Sequence, residues 1–213
     1  MMSGEVNLKV CDLSHSFEER QVFAPVSFAL KGGEAGVVSG ANGAGKSTLL
    51  RIIAGLLLPK SGTAEILSGD RSLNAEERRS QIGYVAPDLN FYRELTAAEN
   101  LQFFAEMQGR ILTKAEMIEA LTHVGLRGRG RDPLRTYSSG MRQRLKYAWV
   151  LLQKAPILLL DEPTSNLDAE GTEIVKEIIA EHRSRPETLT LIATNESDEL
   201  GWGDFTVMLR QTL

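Results

Sequence analysis

Cysteine is nearly absent: the 213-residue chain carries one, Cys11. An internal disulfide framework is therefore excluded, and the composition fits a reducing compartment. Cys11 falls in an alternating apolar stretch and reads as a small core hydrophobe. Histidine is scarce as well. His15, His123 and His182 are scattered and show no metal-ligand spacing. Positive charge is not in excess, since 24 Lys+Arg against 28 Asp+Glu leave a formal net charge of -4. That excludes a global basic surface for nonspecific nucleic-acid binding, and no nucleic-acid partner is expected. Long apolar runs are missing too. The longest are residues 148–152 and 157–160, far short of the ~18 residues of a spanning helix. The stretch Met1–Val10 is polar and lacks the apolar run of a signal peptide. Work at a membrane would need a partner to supply the spanning part. What remains is ordinary, 42% hydrophobic and 24% charged. It is enough for one buried core, as one domain or one domain with an inserted subdomain.

Alternation over residues 8–13 and 26–30 predicts half-buried antiparallel strands. Residues 35–39 form a short apolar strand that runs into a glycine-rich loop, then a helix over about 46–55. Strands are predicted over 63–67 and 82–86, with a charged segment, 74–81, between them. Two capping boxes follow, Thr96 with Glu99 and Thr113 with Glu116. Each opens a stretch with one apolar face: Leu101, Phe104 and Met107, then Met117, Ile118, Leu121 and Val124. A Gly/Arg-rich loop at 127–135 reads as solvated, and a helix over about 139–153 succeeds it. Residues 157–160 are a continuous apolar run of the buried parallel type. A helix over about 169–184 and strands over 189–194 and 205–209 complete the order. The fold class is α/β. The plan is a single domain, 1–213, whose core (about 1–87 and 156–213) is interrupted by a helical subdomain at about 88–155.

Gly40-Ala41-Asn42-Gly43-Ala44-Gly45-Lys46-Ser47-Thr48 satisfies G-x-x-x-x-G-K-[ST]. It follows an apolar strand and opens a helix, the context such a phosphate loop needs. The glycines let backbone N–H groups curl around phosphate oxygens. The helix presents its positive N-terminus to the same anion. Lys46 would reach the β- and γ-phosphates of ATP, and the Ser47 hydroxyl would ligate Mg²⁺. Asn42, Gly43, Ala44, Gly45 and Thr48 complete the candidate nucleotide-binding set.

The strand at 157–160 ends in Asp161 and Glu162. Open α/β sheets place ligand groups at the carboxyl ends of their strands. Asp161 would hold Mg²⁺ through water, and Glu162, pointing elsewhere, would take a proton from the attacking water.

With both elements present, the chain resembles the ATP-binding cassettes of ABC transporters over nearly its whole length. That resemblance implies a P-loop NTPase (RecA-like) core with an N-terminal antiparallel β portion and an inserted α-helical subdomain. Phe17 stands where the family places an aromatic that stacks on adenine, although a core or hairpin aromatic would also fit. Tyr137-Ser138-Ser139-Gly140-Met141-Arg142-Gln143 resembles the family signature, usually L-S-G-G-Q. Ser138 and Gly140 match it, while Ser139 and Met141 replace a glycine and the glutamine. In the family this segment faces the γ-phosphate of ATP held by the other subunit. Ser138 also reads as a plain helix N-cap. Ser165-Asn166-Leu167-Asp168 resembles the loop that passes between subunits, and Asp168 also reads as the N-cap of the next helix.

Two positions depart from the family. Where it carries a glutamine that contacts Mg²⁺ and the membrane partner, this chain has Pro87, followed by Asp88; either Asp88 substitutes as metal ligand or the contact is lost. Where it carries a histidine that contacts the γ-phosphate, this chain has Asn195, which cannot become a cation. Asn195 also suits an N-cap before Glu196, Ser197 and Asp198. The resemblance implies an ATP- and Mg²⁺-dependent ATPase, slowed by these two changes. It further implies a head-to-tail homodimer on ATP and a transmembrane transporter subunit that docks near residues 84–95, where Phe91 and Tyr92 either meet the partner or pack inward. The location would be cytoplasmic, peripheral on the inner face of the cell membrane. The compact length resembles the cassettes of the haem exporter of cytochrome c maturation. An ABC-type ATPase without a transport role, and a regulatory subunit with very slow turnover, are the competing readings.

Overall fold

In the computed structural model the described residues are 5–210, so the first part of the polar Met1–Val10 stretch lies outside them. The chain divides into two compact units. One holds the residues up to Ala86, Ala155–Pro163 and the residues from Ile179 onward; the other holds Pro87–Lys154 and Thr164–Ile178.

The first unit contains two sheets. Strand β1 (Val6–Phe17) turns tightly into β2 (Arg20–Leu30), and the pair is antiparallel. On its other edge β1 pairs antiparallel with a later strand, Ser61–Ser68, which in turn pairs with the two-residue strand Arg71–Ser72. Early in β1 the period-two pattern holds: Val6, Leu8 and Val10 are buried and Lys9 is exposed. Cys11 lies on the face opposite Val10 and is only half-buried, so it is not the core residue its sequence neighbourhood predicts.

The second sheet is parallel. It contains β3 (Ala35–Ser39), and, numbering on past β4 (Ser61–Ser68) and β5 (Arg71–Ser72), β6 (Ile82–Val85), β7 (Ile157–Asp161), β8 (Leu189–Thr194) and β9 (Phe205–Met208). The order is β6-β7-β8-β3-β9. Every residue of β3, β7 and β8 is buried, and residues 157–160 of β7 accordingly read as an unbroken apolar run. Helix α1 (Lys46–Ile53) follows β3 and buries Leu49, Leu50 and Ile53 in the same apolar cluster as Leu8, Leu159 and Leu191. The charged segment after β5 is a helix, α2 (Ala75–Gln81), with Asn74 as cap. Asn74 Oδ1 accepts from the N–H of Glu77 at 3.0 Å, and Glu77 Oε2 accepts from the N–H of Asn74 at 2.9 Å. The N-x-x-E pattern signals this helix; having no buried residue, it leaves no apolar periodicity to find.

The second unit is helical. It holds α3 (Ala97–Met107), α4 (Lys114–His123), α5 (Ser139–Gln153) and the first ten residues of α6 (Ala169–Arg183). Both predicted capping boxes form: Thr96 Oγ1 accepts from Glu99 N at 3.2 Å, and Thr113 Oγ1 from Glu116 N at 3.2 Å. The apolar faces are shorter than predicted. Leu101, Leu121 and Val124 are buried, whereas Met107 and Ile118 are exposed. Helix α5 packs against both α3 and α4.

Candidate nucleotide site

The chain leaves β3 at Ser39, curls through residues 40–45 and enters α1 at Lys46. Gly45 makes the turn with φ +94, and a Cβ there would stand 2.6 Å from Val22 Cγ1 and 2.7 Å from Phe23 Cδ1. Only glycine satisfies both the conformation and the close approach to β2. Lys46 is 5% exposed, and its Nζ donates to the carbonyls of Gly40 at 2.8 Å and Ala41 at 3.2 Å.

A cavity of about 840 Å³ opens over this loop, within the usual size range of small-molecule sites. Asn42, Gly43, Gly45, Lys46, Ser47 and Thr48 line its floor. Phe17, with Glu18, Arg20 and Gln21 from the β1–β2 hairpin, forms another part of the wall, and Glu162 completes it. Phe17 is 55% exposed, so it is not a core aromatic. Ala44 is the member of the predicted loop set that does not line the cavity. It is buried, and its N–H donates to the Ala41 carbonyl at 3.0 Å.

Asp161 and Glu162 part company within one residue. Asp161 is buried at the end of β7, in register with Ala193 of β8. Glu162 then takes φ +50, a left-handed conformation unusual outside glycine and asparagine. Its N–H donates to the Ala193 carbonyl at 2.9 Å, which pins the turn, and its side chain lines the cavity.

Asn195 is exposed just after β8 and is not among the residues lining the cavity. It is not a cap either. The short 3₁₀ stretch that follows, Ser197–Trp202, has Glu196 at its N-cap position and no side-chain capping bond. Thr194 Oγ1 already accepts the Glu196 N–H at 2.9 Å, so the preceding threonine organises this turn.

The remaining candidates lie in the helical unit. Ser138 caps α5, its Oγ accepting from Met141 N at 3.1 Å; Ser139 and Gly140 open the helix. A Cβ on Gly140 would stand 2.9 Å from the Asn166 carbonyl oxygen. Asp168 does cap its helix, accepting from Gly171 N at 2.8 Å, and it also accepts from Arg144 Nη2 at 2.6 Å. These two bonds, that from Gly171 first, hold the Asp168 carboxyl below the usual carboxylate range. Asp88 is exposed. Beside it, Lys146 Nζ donates to the Pro87 carbonyl at 3.2 Å; burial pushes the Lys146 ammonium down and Asp88 opposes this.

Three residues with organising roles escaped the sequence reading. Buried Arg144 ties α5 to Asp168 and to Glu170, the latter at 3.2 Å. Lys146 holds the Pro87 carbonyl. Asn100, fully buried, brackets Tyr92, accepting from its N–H at 2.8 Å and donating to its carbonyl at 3.0 Å. A polar residue on the otherwise apolar face of α3 is the only trace Asn100 leaves in the sequence. Phe91 packs edge-on against Phe104 at 5.5 Å and Tyr92 against Phe103 at 5.2 Å, and Tyr92 stays exposed. Among the described residues no group of three or more His, Cys, Asp or Glu is placed to hold a metal ion. His182 is structural: its Nε2 donates to the Ala155 carbonyl at 3.1 Å, which leaves Nδ1 to accept from Thr190 Oγ1 at 2.9 Å.

Residues 23–165 match the family described as ABC transporter. Among curated proteins, the chain is 35% identical over 192 residues to the uncharacterized ABC transporter ATP-binding protein YdbJ of Bacillus subtilis, covering 90% of this chain and 62% of that protein. It is 40% identical over 170 residues to the cytochrome c biogenesis ATP-binding export protein CcmA of Xanthomonas campestris, covering 80% of this chain and 78% of the relative. A solved structure of an ATP-binding subunit of an ABC transporter superposes with a TM-score of 0.81 at 28% identity, covering 95% of this chain and 85% of the other. The chain belongs to the ABC transporter family, among its ATP-binding proteins.

Proposed function

We propose that the protein is the ATP-hydrolysing subunit of an ABC transporter and drives a separate membrane subunit. The observation that carries this reading is the shared cavity, whose wall holds a phosphate loop with its lysine and, opposite in chemistry, the carboxylate of Glu162. ATP would lie with its phosphates on the N–H groups of residues 42–48 and its base toward Phe17. Lys46 balances the charge of the β- and γ-phosphates. Glu162 takes a proton from the attacking water as its oxygen bonds to the γ-phosphorus. The bond between that phosphorus and the β–γ bridging oxygen breaks, leaving ADP and phosphate.

Ser47 and Asp161 are hard oxygen donors at the loop and at the strand end, and this donor set suits Mg²⁺. Mg²⁺ keeps several waters and takes phosphate oxygens as further ligands, so a dedicated acidic cage is not needed. When bound, the ion offsets charge on the β- and γ-oxygens. The part assigned to Asp88 rests on the family resemblance alone. Ser138, Ser139 and Gly140 would act on ATP held by a second copy in a head-to-tail dimer. Support for this is the helix N-terminus they form, which presents N–H groups to an anion.

No described helix is long and apolar enough to cross a membrane. The transport reading therefore assigns the spanning part to another subunit, with this chain at the inner face of the cell membrane. Pro87 and Asn195 favour a second reading, a nucleotide-binding regulatory subunit of negligible turnover. Phosphate release from Mg-ATP separates the two. The ATPase reading expects release by the parent protein, raised by its membrane partner and lost in Lys46→Ala. Release at background level with the partner present would favour the regulatory reading.

A further inference from the structure

His15 is an anomaly in the first unit. It is 7% exposed, and both ring nitrogens are buried without a hydrogen-bond partner among the described residues. Buried polar atoms are almost always paired, because leaving them unpaired costs their desolvation. A leucine would fill the volume without that cost, so bulk alone does not account for an aromatic ring here.

Its surroundings point to the nucleotide cavity. The alternation of β1 breaks at Leu13, Ser14 and His15, which are buried in succession, and the register with β2 shifts on both sides of His15. These irregularities re-aim side chains, as bulges do. Two residues on stands Phe17, the exposed aromatic of the cavity wall. The two rings meet edge to face, with centroids 4.7 Å apart and planes at 80°. Among the described residues Phe17 makes no other ring contact. Across the hairpin, His15 is in register with Phe23, the fully buried residue on which Gly45 of the phosphate loop closes. Phe17 is more than half in solvent, so little besides the His15 ring restricts it to one staggered rotamer.

We infer that His15 is a positioning residue that holds the Phe17 ring edge-on as a ready stacking face for a purine base. It does not touch the phosphates. The inference rests on the reading of the cavity as a nucleotide site. An aromatic edge restricts Phe17 before the ligand arrives, so less freedom is lost when the base stacks. The edge-to-face contact, rather than the nitrogens, does this, and a phenylalanine at position 15 therefore preserves it.

The test separates the base from the phosphates. Affinities for Mg-ATP and for inorganic tripolyphosphate with Mg²⁺ are measured by calorimetry for the parent, His15→Leu, His15→Phe and Phe17→Leu. In His15→Leu, ATP affinity is expected to fall about two- to tenfold, the range of an aromatic pair contact, while tripolyphosphate affinity is unchanged. In His15→Phe, ATP affinity stays within about twofold of the parent, the smaller end of that same range. Equal losses for both ligands in His15→Leu would make the residue merely structural and overturn the inference. Loss in Phe17→Leu with none in His15→Leu would overturn the positioning role alone. No ATP loss in either variant would overturn both the stacking face and its support, while retained tripolyphosphate binding would leave the phosphate loop standing.

Discussion

Lys46 Nζ donates to the carbonyl oxygen of Gly40 at 2.8 Å, folding the one cation of the phosphate loop back onto the loop that carries it. With the Ala41 carbonyl at 3.2 Å, the ammonium spans the start of the turn. In the proposed site, a phosphate entering from the cavity would exchange these neutral acceptors for charged ones, and charged partners make the stronger bonds. The lysine thus has a structural part besides the ligand role proposed for it. Lys46→Ala is expected to lower Mg-ATP affinity by about 10- to 100-fold, the value of one hydrogen bond between charged groups. It should also lower the melting temperature slightly. Calorimetric titration of the folded variant checks this, and unchanged affinity would remove Lys46 from the site.

Glu162 sets up a conflict between stability and chemistry. Its φ of +50 costs an ordinary residue roughly 1–2 kcal/mol, whereas glycine loses only about 0.5–1 kcal/mol of extra backbone entropy on folding. Glu162→Gly is therefore expected to melt at or above the temperature of Glu162→Gln, although both lack the carboxylate. A glycine variant that melts well below the glutamine variant would show that the turn is not strained.

His182 makes stability depend on pH. Burial pushes its imidazole below the ordinary value of 6.5, while both ring nitrogens are bonded in the uncharged form. The unfolded chain protonates its histidine as pH falls through 6.5; the folded chain resists. The contribution is thus present above pH 6.5 and is lost as pH falls from there toward the lower folded pKa. Denaturant midpoints at pH 7.5 and 5.5 are expected to fall with acidification, and to fall less in His182→Gln. Equal slopes would place the acid sensitivity elsewhere.

Asn195 is exposed, and Thr194 already takes the turn's N–H, so replacement should not disturb the fold. Asn195 does not line the cavity, so Asn195→His tests whether the longer ring reaches the transferring phosphoryl, where it would make a charge-assisted bond. Such a bond exceeds a neutral one by enough for about a tenfold gain in turnover. No gain, with the melting temperature unchanged, would show that position 195 does not reach the reacting phosphate.

The parts of this molecule written as contiguous patterns were legible in the sequence. Residues 40–48 carry the loop because strand, glycines, lysine and helix follow one another, and Asp161 and Glu162 are marked by the apolar run they end. The two capping boxes and the helix over 139–153 are local for the same reason. Long-range arrangements were not legible. Nothing near residue 144 announces its partner Asp168, 24 positions away, nor that residues 164–178 group with the helical unit. The left-handed turn that separates Asp161 from Glu162, and the register shifts that bury His15, depend on neighbouring strands. Cys11 and Asn195 misled because a local pattern fitted them while a neighbour, the other sheet face or Thr194, decided the outcome.

The most direct test of the central claim is Glu162→Gln in the presence of Mg-ATP. Glutamine keeps the shape of the side chain but cannot accept the proton, so single-turnover hydrolysis should slow by roughly 10²–10⁴-fold. ATP should then persist in the site and hold two copies together, doubling the mass measured by light scattering, while the variant with ADP stays at the mass of the parent. Hydrolysis at the parent rate, with no ATP-dependent change in mass, would contradict the assignment of Glu162 as the base of an ATP-hydrolysing subunit.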